Sequence, residues 1–525
     1  MGDRSIPDVP GPVFDVTNPQ FGAEPDDNQD DTLAIQAAID AAGIAGGGVV
    51  FFPRGRYEIR KTAAVPTLQI TRDQVILRGE GDTVFGTVLH LGSPGPTGNI
   101  RRLGSVPAKK EARSGAAAIA VLGSEQQELL TSFTKSLERG QLDVEVSDTS
   151  RLFAGQLVVI HFEDPLIDID HPEPGKVDIP LQLTRPFRLT PDQVDTFGKA
   201  AKNLSWIVRI AEIVDRKNIR LAKPARFDQL LRYKPRIFTF SGVQGVGIEN
   251  LRIESSWPGN YRHHKPYEGE DGTVIRTAKE QDYLWNGLWI SHAADGWVRN
   301  VTFKNLTQGI IVSHSSDCTM TNLLFEGVDG HAGITIGRSN DILVSRADFF
   351  ARLVHPVSVT MMASGNVITN SATRYDGRND TTATDAVIDL HGLFPFENLF
   401  DNLRGFYVCP GGDMSVLPHG GVRNVFWNII APRHMSCYTG ETDNEFARTY
   451  ATKGTSSGTS ATMFEHLPQA FFVGIQRRSG EPVTIGNSIL DRQTSWLNVE
   501  GLNRPGIGIE SLYQAQVNNR RTASP

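Results

Sequence analysis

The 525-residue chain has three cysteines, Cys318, Cys409 and Cys437, and none of them lies in a CxxC pair. That excludes a disulfide framework and a cysteine zinc site as organising devices, and leaves three thiols expected to be buried and inert. No run of about 18 apolar residues occurs, so no segment reads as a membrane span. Positive charge is not in excess: 52 Lys and Arg face 59 Asp and Glu, for a net charge of -7. Phosphate binding needs clustered cations, so nucleic acid is not an expected partner, and neither is a membrane. The opening MGDRSIPDVPG lacks an apolar h-region and carries Ile6 where a myristoylation signal needs Ser or Thr. A secreted or periplasmic protein whose signal peptide precedes this numbering is expected, with a cytoplasmic one as the alternative.

What is present is glycine and proline, 51 and 29 residues, which favour many turns over long helices and so a β-rich fold. The first readable unit is FDVTNPQFGAEPDDNQDDTLAIQAAIDAAGIAGGGVVFFPRGRYEI, residues 14–59. Asp30 or Asp31 can cap a helix whose apolar face is Ile35, Ala38, Ile39 and Ala42, with Gly43 as its stop, and GGGVVFFPRGRYEI follows as a turn and a buried strand. This order of parts resembles the N-terminal capping segment of pectate-lyase-superfamily proteins. The resemblance implies an all-β fold, a right-handed parallel β-helix, with a polysaccharide or oligosaccharide as substrate.

A β-helix stacks one coil per repeat, so the rest of the chain should repeat every twenty-odd residues. Aligning ADGWVRNVTF, SDCTMTNLLF, NDILVSRADF and SGNVITNSAT places Asn300, Asn322, Arg346 and Asn370 in one column at spacings of 22, 24 and 24. Asn402 and Asn428 continue the column after 32 and 26. Asparagine tolerates left-handed backbone geometry, so the column marks one turn of every coil. The expected organisation is 1–124 as N-terminal cap and first coils, 125–235 as an inserted antiparallel β subdomain, 236–510 as the main β-helix with its groove, and 511–525 as a C-terminal cap. A second insertion, Ser256 to Tyr283, brings Trp257, His263 and His264, whose rings and cations suit the lining of a sugar cleft.

Alternation along the repeating strand sends Leu288, Ile290, Ile310, Val312, Ile334, Ile336, Val357, Val359 and Ile388 to one core, and Trp289, Ser358, Asp389 and His391 to the outside. Asp385, Asp389 and His391 are therefore expected in a solvent-facing groove. His331, His355, His292, His314 and Arg338 recur near the same strand ends, either as groove residues or as a turn-packing ladder. The loop TRYDGRNDTT adds Arg374, Tyr375 and Arg378.

Elimination on a uronic acid needs a cation for the carboxylate, a base for the C5 proton and a proton source for the leaving oxygen. Arg374 or Arg378, His391 or His355, and Tyr375 fill these roles. Glycoside hydrolysis needs two carboxyl groups about 5 to 9.5 Å apart, whereas Asp385 and Asp389 on one strand lie about 13 Å apart. A partner for Asp389 would come from Asp413, Glu397 or Asp401. A polysaccharide lyase is the expected enzyme, with a glycoside hydrolase, a fructan-type transferase or a non-catalytic glycan binder as alternatives. No metal ligand set is read and no cofactor is expected; calcium, which the resemblance leaves open because some lyases of that superfamily use it, finds no compact acidic motif here.

Overall fold

A computed structural model describes residues 11–60, 68–92, 117–163, 183, 204–374, 387–408, 419–435, 446, 467–485 and 498–523. The chain winds as a right-handed parallel β-helix whose coils build two long sheets. The first sheet runs from Val13–Asp15 to Asn498–Glu500. The second stacks Ala117–Leu122, Asn286–Ser291, Gln308–Ser313, Gly330–Gly337, Leu353–Thr360, Val387–His391 and Tyr407–Val408 in parallel. Between the sheets lies one continuous core that contains every inward residue named above. Flat rings stack within it at coil spacing: Phe303 on Phe325 at 5.0 Å between centroids, and Phe325 on Phe349 at 4.6 Å.

The asparagine column is a turn ladder. Asn250, Asn300, Asn322, Arg346, Asn370, Asn402 and Asn428 all have φ between +49° and +56°, a conformation asparagine tolerates better than most residues. Their amides also bond coil to coil, Asn322 to Asn300 at 3.0 Å and Asn402 to Asn370 at 2.7 Å. A second left-handed column, His292, His314, Arg338 and Met361, follows the second sheet, with His292 and His314 stacked at 4.7 Å.

The cap helix is Thr32–Ile44, one residue past the expected stop at Gly43, and it buries Ile35, Ala38, Ile39 and Ala42. Asp31 makes no capping bond; Asp30 instead accepts from the Thr32 amide at 3.1 Å, while Asp31 accepts from the amides of Glu24 and Glu58. At the other end, helix Leu512–Ala523 is anchored on the side of the first sheet, where the Leu512 amide donates to Asp401 at 2.8 Å.

Two insertions leave the solenoid. Between residues 129 and 239, six antiparallel strands form a sheet with its own hydrophobic cluster. Within the second, strands Tyr267–Glu268 and Val274–Arg276 pair, and helix Ala278–Tyr283 is started by a capping box between Thr277 and Glu280.

Candidate active site

Register across the second sheet aligns Trp289, Ile311, Thr335, Ser358 and Asp389 in one outward row. Outward does not mean exposed here. Asp389 is 3% exposed, because the second insertion folds over this part of the sheet, whereas the His391 side chain keeps 38% exposure. Ser358 donates to Asp389 Oδ2 at 2.8 Å, and His391 Nδ1 lies 3.7 Å from Oδ1. Burial opposes charge on Asp389, but the imidazoles of His355 and His391 and the Ser358 hydroxyl hold its carboxyl below the usual carboxylate range.

The second insertion is rooted on Asp329. The Asn260 and Tyr261 amides donate to its carboxylate at 2.7 and 2.8 Å, and Trp257 Nε1 donates to its carbonyl at 2.7 Å. The chain then returns through the short helix, which supplies Asp282. That carboxylate is buried and accepts from Tyr261 Oη at 2.6 Å and His264 Nδ1 at 2.7 Å. Burial would raise its pKa, but the bond from His264 and the neighbouring His331 keep it below the ordinary value.

These contacts lower a patch of imidazoles onto the sheet. His263 sits 5.3 Å, centroid to centroid, from both His331 and His355, which are 5.4 Å apart, and Tyr261 stacks on His331 at 5.5 Å. Burial pushes His331 down to about 3 and His355 down to about 4, and takes His263 well below its ordinary value, so all three are neutral near pH 7. His419 closes the cluster, accepting from the Gly392 amide at 3.0 Å with its ring 5.4 Å from His391.

Of the residues expected at a groove, the fold brings together His263, His264, His331, His355, Asp389 and His391. Others sit elsewhere. Trp257 is buried at the insertion's root beneath the Arg276 guanidinium at 4.6 Å. Trp289 packs on Ala117 and Ile311. Arg338, with His292 and His314, belongs to the turn ladder. Arg374, expected beside Asp389, is bonded to Asp348 at 2.7 Å on the first sheet, in an open groove of about 690 Å³ that it shares with Arg346 and Arg404. The candidate partner carboxylates are also engaged: Glu397 binds Arg139 and Arg423 at 2.9 and 2.7 Å, and Asp401 receives Thr369 at 2.6 Å. Tyr375, Arg378, Asp385 and Asp413 lie outside the described residues.

Asp282, Tyr261 and His419 are the contributors that sequence reasoning missed, and alternation places Ser358 on the outward face without giving it a role. The capping box ahead of Asp282 announces a helix, but nothing in the sequence says that the helix folds back over the sheet.

Residues 15–89 match the family model described as rhamnogalacturonase A/epimerase, pectate lyase-like. The mannuronan C5-epimerase AlgE6 of Azotobacter vinelandii is 46% identical over 69 residues, 13% of this chain and 8% of that protein. Alginate lyase 7 of the same organism is 62% identical over 39 residues, 7% of this chain and 5% of the relative. The chain thus spans less than a tenth of the length of either relative. Among solved structures, the A-module of mannuronan C-5 epimerase AlgE4 from Azotobacter vinelandii aligns over 94% of this chain and 97% of that one, at 13% identity and a TM-score of 0.40. Over its opening segment the chain is thus similar to the pectate-lyase-like family, and its coils wind as a right-handed parallel β-helix.

Proposed function

We propose that the chain is a polysaccharide-modifying enzyme that removes the C5 proton of a uronic-acid unit, with β-elimination as the principal outcome. The observation that carries this reading is His391, a half-exposed imidazole 3.7 Å from the buried carboxylate of Asp389, at the open edge of a histidine cluster. A base for a carbon acid must be reachable by substrate and held in orientation, and Asp389 is placed to orient this ring. His391 takes the C5 proton, the electron pair forms the C4=C5 double bond, and the C4–O4 bond breaks as the leaving oxygen gains a proton.

Elimination is preferred to hydrolysis because a glycosidase needs one protonated carboxyl beside one ionised carboxyl. Here Asp282 already accepts two hydrogen bonds, and Asp389 accepts one with an imidazole beside it. Support for uronate chemistry comes also from the short matches to proteins named as a mannuronan C5-epimerase and an alginate lyase, reactions that both begin at C5.

Incubation with polymannuronate, polyguluronate, polygalacturonate and rhamnogalacturonan in D2O tests the reading. New ultraviolet absorbance from an unsaturated uronate reports elimination, and deuterium at C5 without absorbance reports epimerisation by the same proton removal. Reducing ends with neither signal, or glycan binding without turnover, would sink it.

A further inference from the structure

We propose that His263, His331 and His355 bind one divalent transition-metal ion of the zinc class. The three rings form a nearly equilateral triangle, with centroids 5.3, 5.3 and 5.4 Å apart, and offer one ligand nitrogen each within 4.8 Å of the others. Nitrogens 2.0 to 2.1 Å from a tetrahedral zinc stand about 3.4 Å apart, so small side-chain rotations close the set. The triangle is built from three segments. The strand register pairs His355 with Ala332, the neighbour of His331, so the two histidines come from adjacent coils, and the Asp329 anchor delivers His263 from the insertion.

Two further observations point to a bound cation. Nδ1 of His355 is buried and receives no hydrogen bond from the described residues. Asp282 and Asp389, each 3% exposed, border the triangle, and among the described residues neither is ion-paired with an arginine or a lysine. Two buried carboxylates without an arginine or lysine partner call for a countercharge, which a divalent ion between the rings supplies.

The donor set decides the class of ion. Three imidazoles without sulfur suit zinc, cobalt, nickel or copper, whereas calcium takes six to eight oxygen ligands that are not gathered here. Three protein ligands would also leave a fourth coordination position open.

Chelator-stripped full-length protein titrated with Zn2+, and separately with Co2+, gives the test without any glycan present. One equivalent of Zn2+ is expected to bind and to raise the melting temperature, and Co2+ is expected to develop the visible bands of a nitrogen-ligated, low-coordinate site. His331→Ala and His355→Ala should each weaken Zn2+ binding by about 100-fold or more, while the His292→Ala/His314→Ala pair leaves it unchanged. Should either buried variant fail to fold by circular dichroism, His263→Ala on the insertion takes its place. No binding by the wild type, a cobalt spectrum of the six-coordinate aqua ion, or equal loss in the His292/His314 variant would overturn the proposal. The C5 reading stands or falls on its own assay.

Discussion

The two insertions meet the same solenoid in different ways. The first is gripped by charge. A left-handed turn column, Asp295, Asp317 and Asp341, with φ of +52°, +56° and +62°, presents carboxylates at coil spacing. Arg209 pairs with Asp295, Lys223 with Asp317 at 2.6 Å and with Asp341 at 3.0 Å, and Arg226 with Asp341. Glu397, further along, takes Arg139. The second insertion is held by hydrogen bonds, chiefly to Asp329 and also from Gln308 to the Asp282 carbonyl, and spends its polar side chains on imidazoles and a carboxylate that face the sheet. Ion pairs that satisfy one another make a joint, whereas convergent groups of one chemical kind make a site.

If that contrast is right, activity and stability should separate by insertion. The largest effect is expected at the site: His391→Ala and Asp389→Asn should each lower turnover of an acidic glycan by about 100-fold or more, while Asp317→Ala in the first joint keeps turnover within about twofold of the wild type. Kinetics on the three purified variants decide it, and comparable losses in all three would erase the distinction.

Next comes the joint itself. Asp341 is 4% exposed, and Asp341→Ala strips the shared partner from two largely buried cations, which should cost about 3 kcal/mol in denaturant unfolding. Asp295→Ala, where both partners are about a quarter exposed, should cost no more than about 1 kcal/mol. The same aspartate gives the joint a pH dependence. Burial alone would raise its pKa, but Arg226 and Lys223 outweigh burial and hold the carboxyl below its ordinary value of 3.8. A depressed carboxyl contributes stability that is present above pH 3.8 and lost as the pH falls through the folded-state value. Acid titration should therefore loosen the first insertion in the wild type, and the Asp341→Ala variant should lack this component. The smallest effect is expected in the asparagine ladder, where Asn322→Ala removes one exposed inter-coil bond and a residue suited to φ of +55°, for about 1 kcal/mol.

Much of the frame was legible because it obeys two short periods. Alternation along the second sheet assigned Leu288 through Ile388 to the core, and the twenty-odd-residue repeat located the left-handed column from Asn300 to Asn428. Both are local rules repeated coil after coil. The site escaped because it breaks them. His331 and His355 have opposite parity relative to their strands' inward residues, yet their rings meet. The amides of His331 and Ala332 both bond to the Thr307 carbonyl, a bulge that resets the alternation at the start of that strand. Solvent exposure of Asp389 was inferred from parity alone, which carries no information about a lid contributed by residues 256–283. Nor does spacing distinguish the ladder pair His292 and His314 from the site pair His331 and His355, since both sit at coil intervals.

The asparagine ladder carries one last implication. Each coil is stitched mainly to its neighbours, so the solenoid behaves as a one-dimensional stack whose ends can fray independently of its middle. Two corners of the histidine triangle, His331 and His355, occupy adjacent coils well inside that stack. Heating should then melt the terminal coils first, and catalysis should persist to temperatures at which a probe near Trp427 already reports a disordered end.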